Sequence, residues 1–310
     1  MKCSVLINNY NYAQYVCKAV DSVLSQTVLP EEIVIVDDGS VDGSTQVLFD
    51  TYGTHPRIKI VASENRGQLA AINLGFMNSC GDILFFLDSD DEYDPCYLES
   101  ALALYRDHPS CDFLICGRKE TGVSDTTVLR YRNDVSLGFS VISALYGEHW
   151  EGGPTSTLSA RRWVLEAFMP LDLEPHWRIR ADDCLVRGAS LAGAKKYYLA
   201  RPLVRYRIHN ANHYHGRDFD ADYQYRYKLR TRQLISHLAR KTCTDGPNVM
   251  RMMKGELNSS CPEVIRDKFR LYFKLICRAD RGFAWKIAKL KLLVRNAFLS
   301  GSPVHVAGRG

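Results

Sequence analysis

Short apolar runs alternate with helical periodicity through about the first hundred residues. Ser4 to Ile7 reads as a buried strand, and from Val16 the apolar residues Ala19, Val20, Val23 and Leu24 recur at helical spacing. Ile33 to Val36 is a second apolar run, closed by Asp37, Asp38 and Gly39, and Ile58 to Ala62 is a third. Leu69, Ile72, Phe76 and Met77 mark another helix, stopped by Gly81; Ile83 to Leu87 reads as a fourth strand and Phe113 to Cys116 as a fifth. Asp94-Pro95 supplies a cap residue and a proline at the first position of the helix that follows. Strands alternating with helices predict βαβ units, hence an α/β fold with a mixed, mainly parallel sheet flanked by helices.

The middle of the chain, from about Thr121 to Tyr214, is less regular. It contains a turn at Gly152-Gly153-Pro154, the aromatic residues Trp150 and Trp177, and two strand-like runs around Tyr197 and Val204. Beyond His215 the pattern becomes helical and basic. From Phe283, apolar residues recur at Ile287, Leu290, Val294 and Phe298, flanked by Lys286, Lys289, Lys291 and Arg295; Trp285, Leu292 and Leu299 form a second stripe. A basic amphipathic helix of this kind suits an anionic membrane surface. The double stripe suits burial or an oligomer contact equally well.

Composition narrows the field. The 310 residues are 46% hydrophobic and 24% charged, a globular balance that argues against disorder. A net charge of +5 is too mild to make nucleic acid the default partner and leaves anionic small molecules and membrane surfaces open. The ten cysteines are scattered without a Cys-x-x-Cys pair; Cys3, Cys80, Cys111, Cys116 and Cys277 lie in or beside apolar segments and read as reduced core thiols, which implies the cytosol. The apolar run after Lys2 ends at Asn8 and Asn9, too short for a secretory leader, and no stretch of about 20 apolar residues suggests a membrane span.

In open α/β sheets ligands bind beyond the carboxyl ends of the strands. The first strand is followed by Asn8, Asn9, Tyr10 and Asn11, the second by Asp37-Asp38-Gly39-Ser40, and the fourth by Asp88-Ser89-Asp90-Asp91. Along an extended chain Asp88 and Asp90 point the same way. So many carboxylates at one strand end repel unless a cation neutralises them, and hard oxygen ligands suit Mg²⁺ or Mn²⁺. The plainer alternative is a solvated acidic loop capping the next helix, but Asp94 already fills that role. Asp37 and Asp38 suit a nucleobase N–H or a ribose hydroxyl, or else a turn closed by its own aspartates. Arg66, beside Gly67, suits a phosphate, or is an ordinary loop arginine.

These segments, taken in order, resemble a known family. Ser-Val-Leu-Ile-Asn-Asn-Tyr-Asn from Ser4, Ser-Gln-Thr ending at Thr27, Ile-Val-Asp-Asp-Gly-Ser from Ile35 to Ser40, Asn-Arg-Gly, and Leu-Asp-Ser-Asp-Asp are similar to family 2 glycosyltransferases of the GT-A (Rossmann-like) fold. The likeness covers roughly the first two-thirds of the chain. It implies a metal-dependent, inverting transferase that moves a sugar from a nucleotide-sugar donor to a hydroxyl acceptor, a glycan or lipid-linked glycan, in polysaccharide or glycolipid biosynthesis. It places Asn8, Tyr10, Asp37, Asp38, Arg66 and Asp88 against the nucleotide, with Asp88 and Asp90 at a divalent cation. His209, in Tyr-Arg-Ile-His-Asn, falls in a segment that closes the site in many members and would touch the metal or the diphosphate. The base is expected in Ala181-Asp182-Asp183-Cys184-Leu185, with Asp182 the first choice and Asp183 the second; the common Glu-Asp is here two aspartates. Asn8 stands where many members have proline.

The implied organisation is a GT-A domain over 1–215, with a nucleotide-binding half to about 118 and an acceptor half over 119–215, followed by a helical region over 216–310. The expected location is cytoplasmic, with peripheral membrane contact or oligomerisation through the last helices left open. Trp150 and Trp177 either face sugar rings or pack in the core, and the loop Gly152 to Ser156 would lie on the acceptor side. A dinucleotide oxidoreductase or a P-loop kinase needs a glycine-rich turn after the first strand, which Asn8 to Asn11 is not. An Asp-x-Asp phosphatase would carry its aspartates on an early strand. The remaining rival is a catalytically inactive nucleotide- or sugar-binding module of the same descent, which would have lost the metal site or the base.

Overall fold

The computed structural model describes residues 1–122, 125–209, 219–244 and 249–299. The expected domain boundary at 215 and the residues His213 and His215 lie outside the described residues. The first half contains β1 (Cys3–Asn9), α1 (Ala13–Leu24), β2 (Glu32–Asp38), α2 (Ser44–Tyr52), β3 (Ile58–Ser63), α3 (Gln68–Met77), β4 (Ile83–Asp88), β5 (Glu92–Tyr93), α4 (Tyr97–Asp107) and β6 (Phe113–Thr121). Then follow β7 (Thr126–Val128), β8 (Val135–Gly138), α5 (Val141–Gly147), β9 (Leu158–Arg161), α6 (Arg162–Glu166), α7 (Ala181–Leu191) and β10 (Lys196–Arg207). The helices α8 (Ala221–Lys241), α9 (Met253–Ser259), α10 (Pro262–Asp267), α11 (Phe269–Arg278) and α12 (Phe283–Val294) complete the chain.

One sheet runs in the order β3-β2-β1-β4-β9-β6-β10-β5, with β7 on β6 and β8 on β10. β3, β2, β1 and β4 are parallel, as their apolar runs predict, whereas β9 lies antiparallel between β4 and β6. Alternation sorts the strands' side chains onto two faces. Val5, Ile7, Ile33, Ile35, Phe85 and Leu87 pack with α1, α2 and α4. Leu6, Val34, Val36, Leu84 and Phe86 pack with α3 and α7, in a core that continues into Leu234 and Leu238 of α8 and Leu293 of α12.

Several local readings change. The two strand-like runs around Tyr197 and Val204 are halves of one strand, β10, whose pairing with β6 shifts register at Pro202, where no N–H is available for the ladder. Asp94-Pro95 precedes α4 rather than opening it: the Asp94 side chain accepts from the Cys96 amide and the helix starts at Tyr97. Met77, at the last turn of α3, is 56% exposed and outside the helix's buried stripe. Cys80 and Cys277 are exposed, one in the turn after α3 and one on the outer side of α11, while Cys3, Cys111 and Cys116 are buried thiols.

The last helices are fastened by buried polar groups. Glu256 of α9 accepts from the Ile142 and Ser143 amides at the start of α5 and from the Tyr272 hydroxyl of α11. Glu151, fully buried, pairs with Lys268 and Arg130, both at 2.6 Å. Those cations and His149 hold its carboxyl well below the usual range against the opposing effect of burial.

Candidate active site

The ends of β1 and β2 are tied together before any ligand arrives. Asp37 accepts from the Asn9 side chain at 2.7 Å, the Ser40 amide at 3.0 Å and the Thr45 hydroxyl at 2.8 Å. Asp38 takes the amides of Arg66 and Gly67 at 2.9 and 2.7 Å, one on each oxygen. Two glycines permit this approach. A Cβ on Gly39 would lie 2.6 Å from the Asn65 nitrogen, and one on Gly67 2.4 Å from the Arg178 Cα; both residues have positive φ. Asn8 sits beside Asp88 in the β1–β4 register, and Tyr10 is exposed just beyond. The Arg66 side chain is half exposed and pairs with Glu174 at 3.4 Å.

After β4 the chain turns instead of remaining extended: the Asp91 amide donates to the Asp88 carbonyl at 3.0 Å, so Asp88 and Asp90 converge through a turn and not by strand alternation. The Asp90 carboxylate lies 3.1 Å from His209 Nε2, beneath the rings of Tyr12 and Tyr15, which pack against the imidazole. Asp91 is committed to the protein, accepting from the Ser156 hydroxyl at 2.6 Å and the Arg207 amide at 2.9 Å. Arg207 also holds the turn through the Asp90 carbonyl, pairs with Glu92 and lies over the Tyr15 ring. Burial pushes the Asp88 carboxyl up to about 6, with the Asp90 charge adding to it. Burial likewise raises Asp90, while His209 and Arg207 pull it back.

On the other side, Arg180 in left-handed conformation leads into α7, placing Asp182 and Asp183 in the first turn. The two aspartates have different surroundings. Asp183 is buried and paired with Arg180 at 3.0 Å and Arg187 at 3.5 Å, and it accepts from the Tyr227 hydroxyl of α8 at 2.8 Å. For the Asp182 carboxylate the hydrogen bond seen among the described residues comes from the Asp183 amide. Burial first, then the Asp183 charge and a smaller effect of Asp88, push Asp182 up to about 7.

Gln68 joins these groups. Its side-chain N–H donates to Asp88 Oδ1 at 2.9 Å and Thr155 Oγ1 at 3.3 Å, and its oxygen accepts from the Ala181 amide at 3.0 Å. Gln68 and Leu69 also bond the carbonyls of Arg178 and Trp177 through their own amides. Asp38 reaches the same point through Gly67. Hydrogen bonds through Gly67 and Gln68 thus link Asp38, Asp88, Thr155 and the start of the helix that carries Asp182. Sequence reading passed over Gln68 and named Asn9 and Arg207 only as members of their segments, without a role. The one available signal for Gln68 was a polar residue opening a helix that is otherwise almost wholly apolar. Trp177 is 2% exposed and Trp150 packs at the core edge, so both serve packing.

The parallel part of the sheet thus ends in aspartate-rich turns that Gln68 ties to the start of α7. Comparison with known proteins gives the chain a family. The model of "Glycosyl transferase family 2" matches residues 4–166. An uncharacterized glycosyltransferase of Nostoc sp. is 38% identical over 221 residues, which is 69% of this chain and 67% of that protein. Chondroitin synthase of Escherichia coli is 35% identical over 103 residues, 33% of this chain and only 15% of the synthase. Among solved structures, S. aureus TarS 1–349 in complex with UDP-GlcNAc has a TM-score of 0.59 at 17% identity, over 96% of this chain and 89% of that one, a likeness of fold. The chain belongs to glycosyltransferase family 2 and has the GT-A fold.

Proposed function

We propose that the protein is an inverting transferase that moves a sugar from a nucleotide-sugar donor to a hydroxyl of a glycan or lipid-linked glycan, in polysaccharide or glycolipid biosynthesis. The observation that carries this reading is the Gln68 junction, which brings the donor-side carboxylate Asp88 and the N-terminus of the Asp182 helix to one side chain. Asn8, Tyr10, Asp37 and Asp38 border the nucleotide, with Arg66 at the diphosphate. Asp182 takes the acceptor's hydroxyl proton as the new bond to the anomeric carbon forms and the bond to the diphosphate breaks, its electrons leaving with the phosphate oxygen. One displacement with no covalent intermediate inverts the anomeric centre. Asp183 holds Arg180 and Arg187 and thereby the orientation of the first turn of α7.

The donor set beside Asp88 suits a divalent cation. Asp90 and His209 present oxygen and imidazole nitrogen 3.1 Å apart. Among the described residues no group of three His, Cys, Asp or Glu could hold an ion alone, so donor phosphates would complete the coordination, as is usual for Mg²⁺ and Mn²⁺. Such an ion offsets charge on a departing diphosphate.

Calorimetry with UDP, with and without Mn²⁺, tests the donor half; UDP is the first choice because TarS is seen with UDP-GlcNAc. Absence of metal-dependent binding of UDP, GDP or dTDP removes the reading. Binding without donor hydrolysis across a nucleotide-sugar panel would support the inactive module instead. The last helices support contact with an anionic bilayer: Phe283, Ile287, Val294, Phe298 and Leu299 are exposed, and from residue 270 to 299 eight basic side chains face one acidic, Asp280. Flotation with vesicles rich in phosphatidylglycerol, but not with phosphatidylcholine alone, is the expected result.

A further inference from the structure

A trough of about 250 Å³ lies between the segment that precedes α7 and the face of α8. Leu173, Leu234 and Trp177 supply apolar wall, and His176, Arg230, His237 and Arg240, with the neutral amide of Gln233, the polar groups; no carboxylate lines it. Asp172 stands at the rim, 3.3 Å from His237 and largely exposed. The guanidinium of Arg230 is fixed by its position near the Trp177 and Tyr223 rings, at 5.9 and 5.8 Å, and by the His176 carbonyl at 3.3 Å. Its Nε is buried with no hydrogen-bond partner among the described residues. A guanidinium held in place with an unspent donor is preorganised for a carboxylate or phosphate.

The position gives this basic trough a meaning. Trp177 in its wall bonds through its carbonyl to the amide of Leu69, beside Gln68, and Arg178, Arg180 and Asp182 follow it in the chain. A group seated there would rest against the segment that leads into α7, the helix that carries the proposed base. The volume suits one sugar unit, and the lining favours a negative one.

We propose that the trough binds an anionic sugar of the acceptor, a hexuronate or a sugar phosphate, next to the unit that receives the transferred sugar. This rests on the transferase reading, and the test separates the two. The indole ¹H–¹⁵N signal of Trp177, assigned with Trp177→Phe, is followed during titration with methyl glucuronide, glucose 1-phosphate, inorganic phosphate and methyl glucoside. Saturable shifts with the glucuronide or the sugar phosphate, at least tenfold weaker binding of phosphate, and none with the glucoside are expected. Which of the two anionic sugars binds more tightly decides between carboxylate and phosphate. Arg230→Gln, and separately Arg240→Gln with His237→Gln, should weaken that binding about tenfold while leaving the melting temperature and UDP affinity unchanged. Equal response to the neutral glucoside, phosphate alone binding as tightly as the sugar phosphate, no response to any probe, or unaltered binding in both variants overturns the proposal. Failure of UDP to bind would instead remove the transferase reading, whatever the trough does.

Discussion

Among the adjacent aspartates of the candidate site, the fold treats two pairs, Asp37-Asp38 and Asp182-Asp183, in opposite ways. Asp37 and Asp38 meet neutral donors from their own half: Asn9, Ser40, Thr45 and two backbone amides. In the second pair one member, Asp183, takes both arginines and Tyr227. For its neighbour, burial and the Asp183 charge outweigh Arg180 and one amide, and its carboxyl rises to about 7. Residue type does not separate a positioning carboxylate from a proton acceptor; the partners delivered by the surrounding elements do. For Asp182 and Asp183 those partners come in part from α8, far along the chain.

Replacing each member of the second pair sharpens the contrast most. Asp182→Asn should lower turnover by about 10²- to 10⁴-fold, the usual worth of a general base. Its melting temperature should hold, since a carboxylate disfavoured by burial is replaced by a neutral group. Asp183→Asn leaves Arg187 buried without its countercharge, and a destabilisation of about 3 kcal/mol is expected, read by urea denaturation. The comparison breaks if Asp182→Asn keeps full turnover, or if the two variants melt alike.

On the donor side Asp90→Asn should cost about 10²- to 10³-fold in turnover, the scale for losing one electrostatic stabiliser of a leaving group. On the proposed metal-assisted reading, the Mn²⁺ concentration needed for half-maximal rate should rise with it. Asp37→Asn, at a carboxylate already bonded three ways within the protein, should instead change the melting temperature and leave the Mn²⁺ requirement alone. Equal shifts of that requirement in both variants would mean that the whole acidic edge acts as one field.

The same contrast has a pH signature. As the proposed base Asp182 would work deprotonated, so kcat/KM should climb about tenfold per unit from acid pH and level near 7, a limb missing from Asp182→Asn. Stability moves the other way. The folded protein holds this proton more tightly than an unfolded chain with a value near 3.8, so the carboxyl's contribution is complete below that value and lost as pH rises through about 7. A rate profile flat from pH 5 to 8 would argue that another group receives the proton.

How far the sequence could be read follows the same division. β1, β2 and β4 were legible because strands covered on both faces leave continuous apolar runs, the edge strand β3 because Ile58, Ile60 and Val61 still stand out, α1 because it keeps a stripe, and α3 because it is apolar nearly all round. β9 was not: its alternation of Leu158 and Ala160 with Ser159 and Arg161 lasts only four residues, and it enters the sheet antiparallel between strands distant in the chain. β10 read as two pieces because Pro202 interrupts it. Around the site, the aspartates were legible as types at strand ends, but their pairing was not. Nothing near Asp183 in the sequence announces Tyr227, and nothing near Asp88 announces Ser156 or Gln68.

Gln68 gives the smallest predicted effect and the closest test of whether the two halves form one site. Gln68→Ala removes hydrogen bonds to Asp88, Thr155 and the Ala181 amide. Each such neutral bond is worth roughly 1 kcal/mol net, and water can replace part of it at this half-buried position, so about a tenfold loss in rate is expected. What matters is where the loss falls. Gln68 steadies the start of α7 as well as Asp88. If it couples the halves, transfer to an acceptor should fall about tenfold while hydrolysis of the donor by water, which does not require the acceptor hydroxyl to be aligned with Asp182, falls much less. Equal losses in both reactions would confine Gln68 to the donor side and leave α7 positioned by Arg180, Arg187 and α8 alone. Gln68→Glu would then separate geometry from charge: it can keep the Ala181 bond but sets a second carboxylate against Asp88, so its rate should recover only as Mn²⁺ is raised.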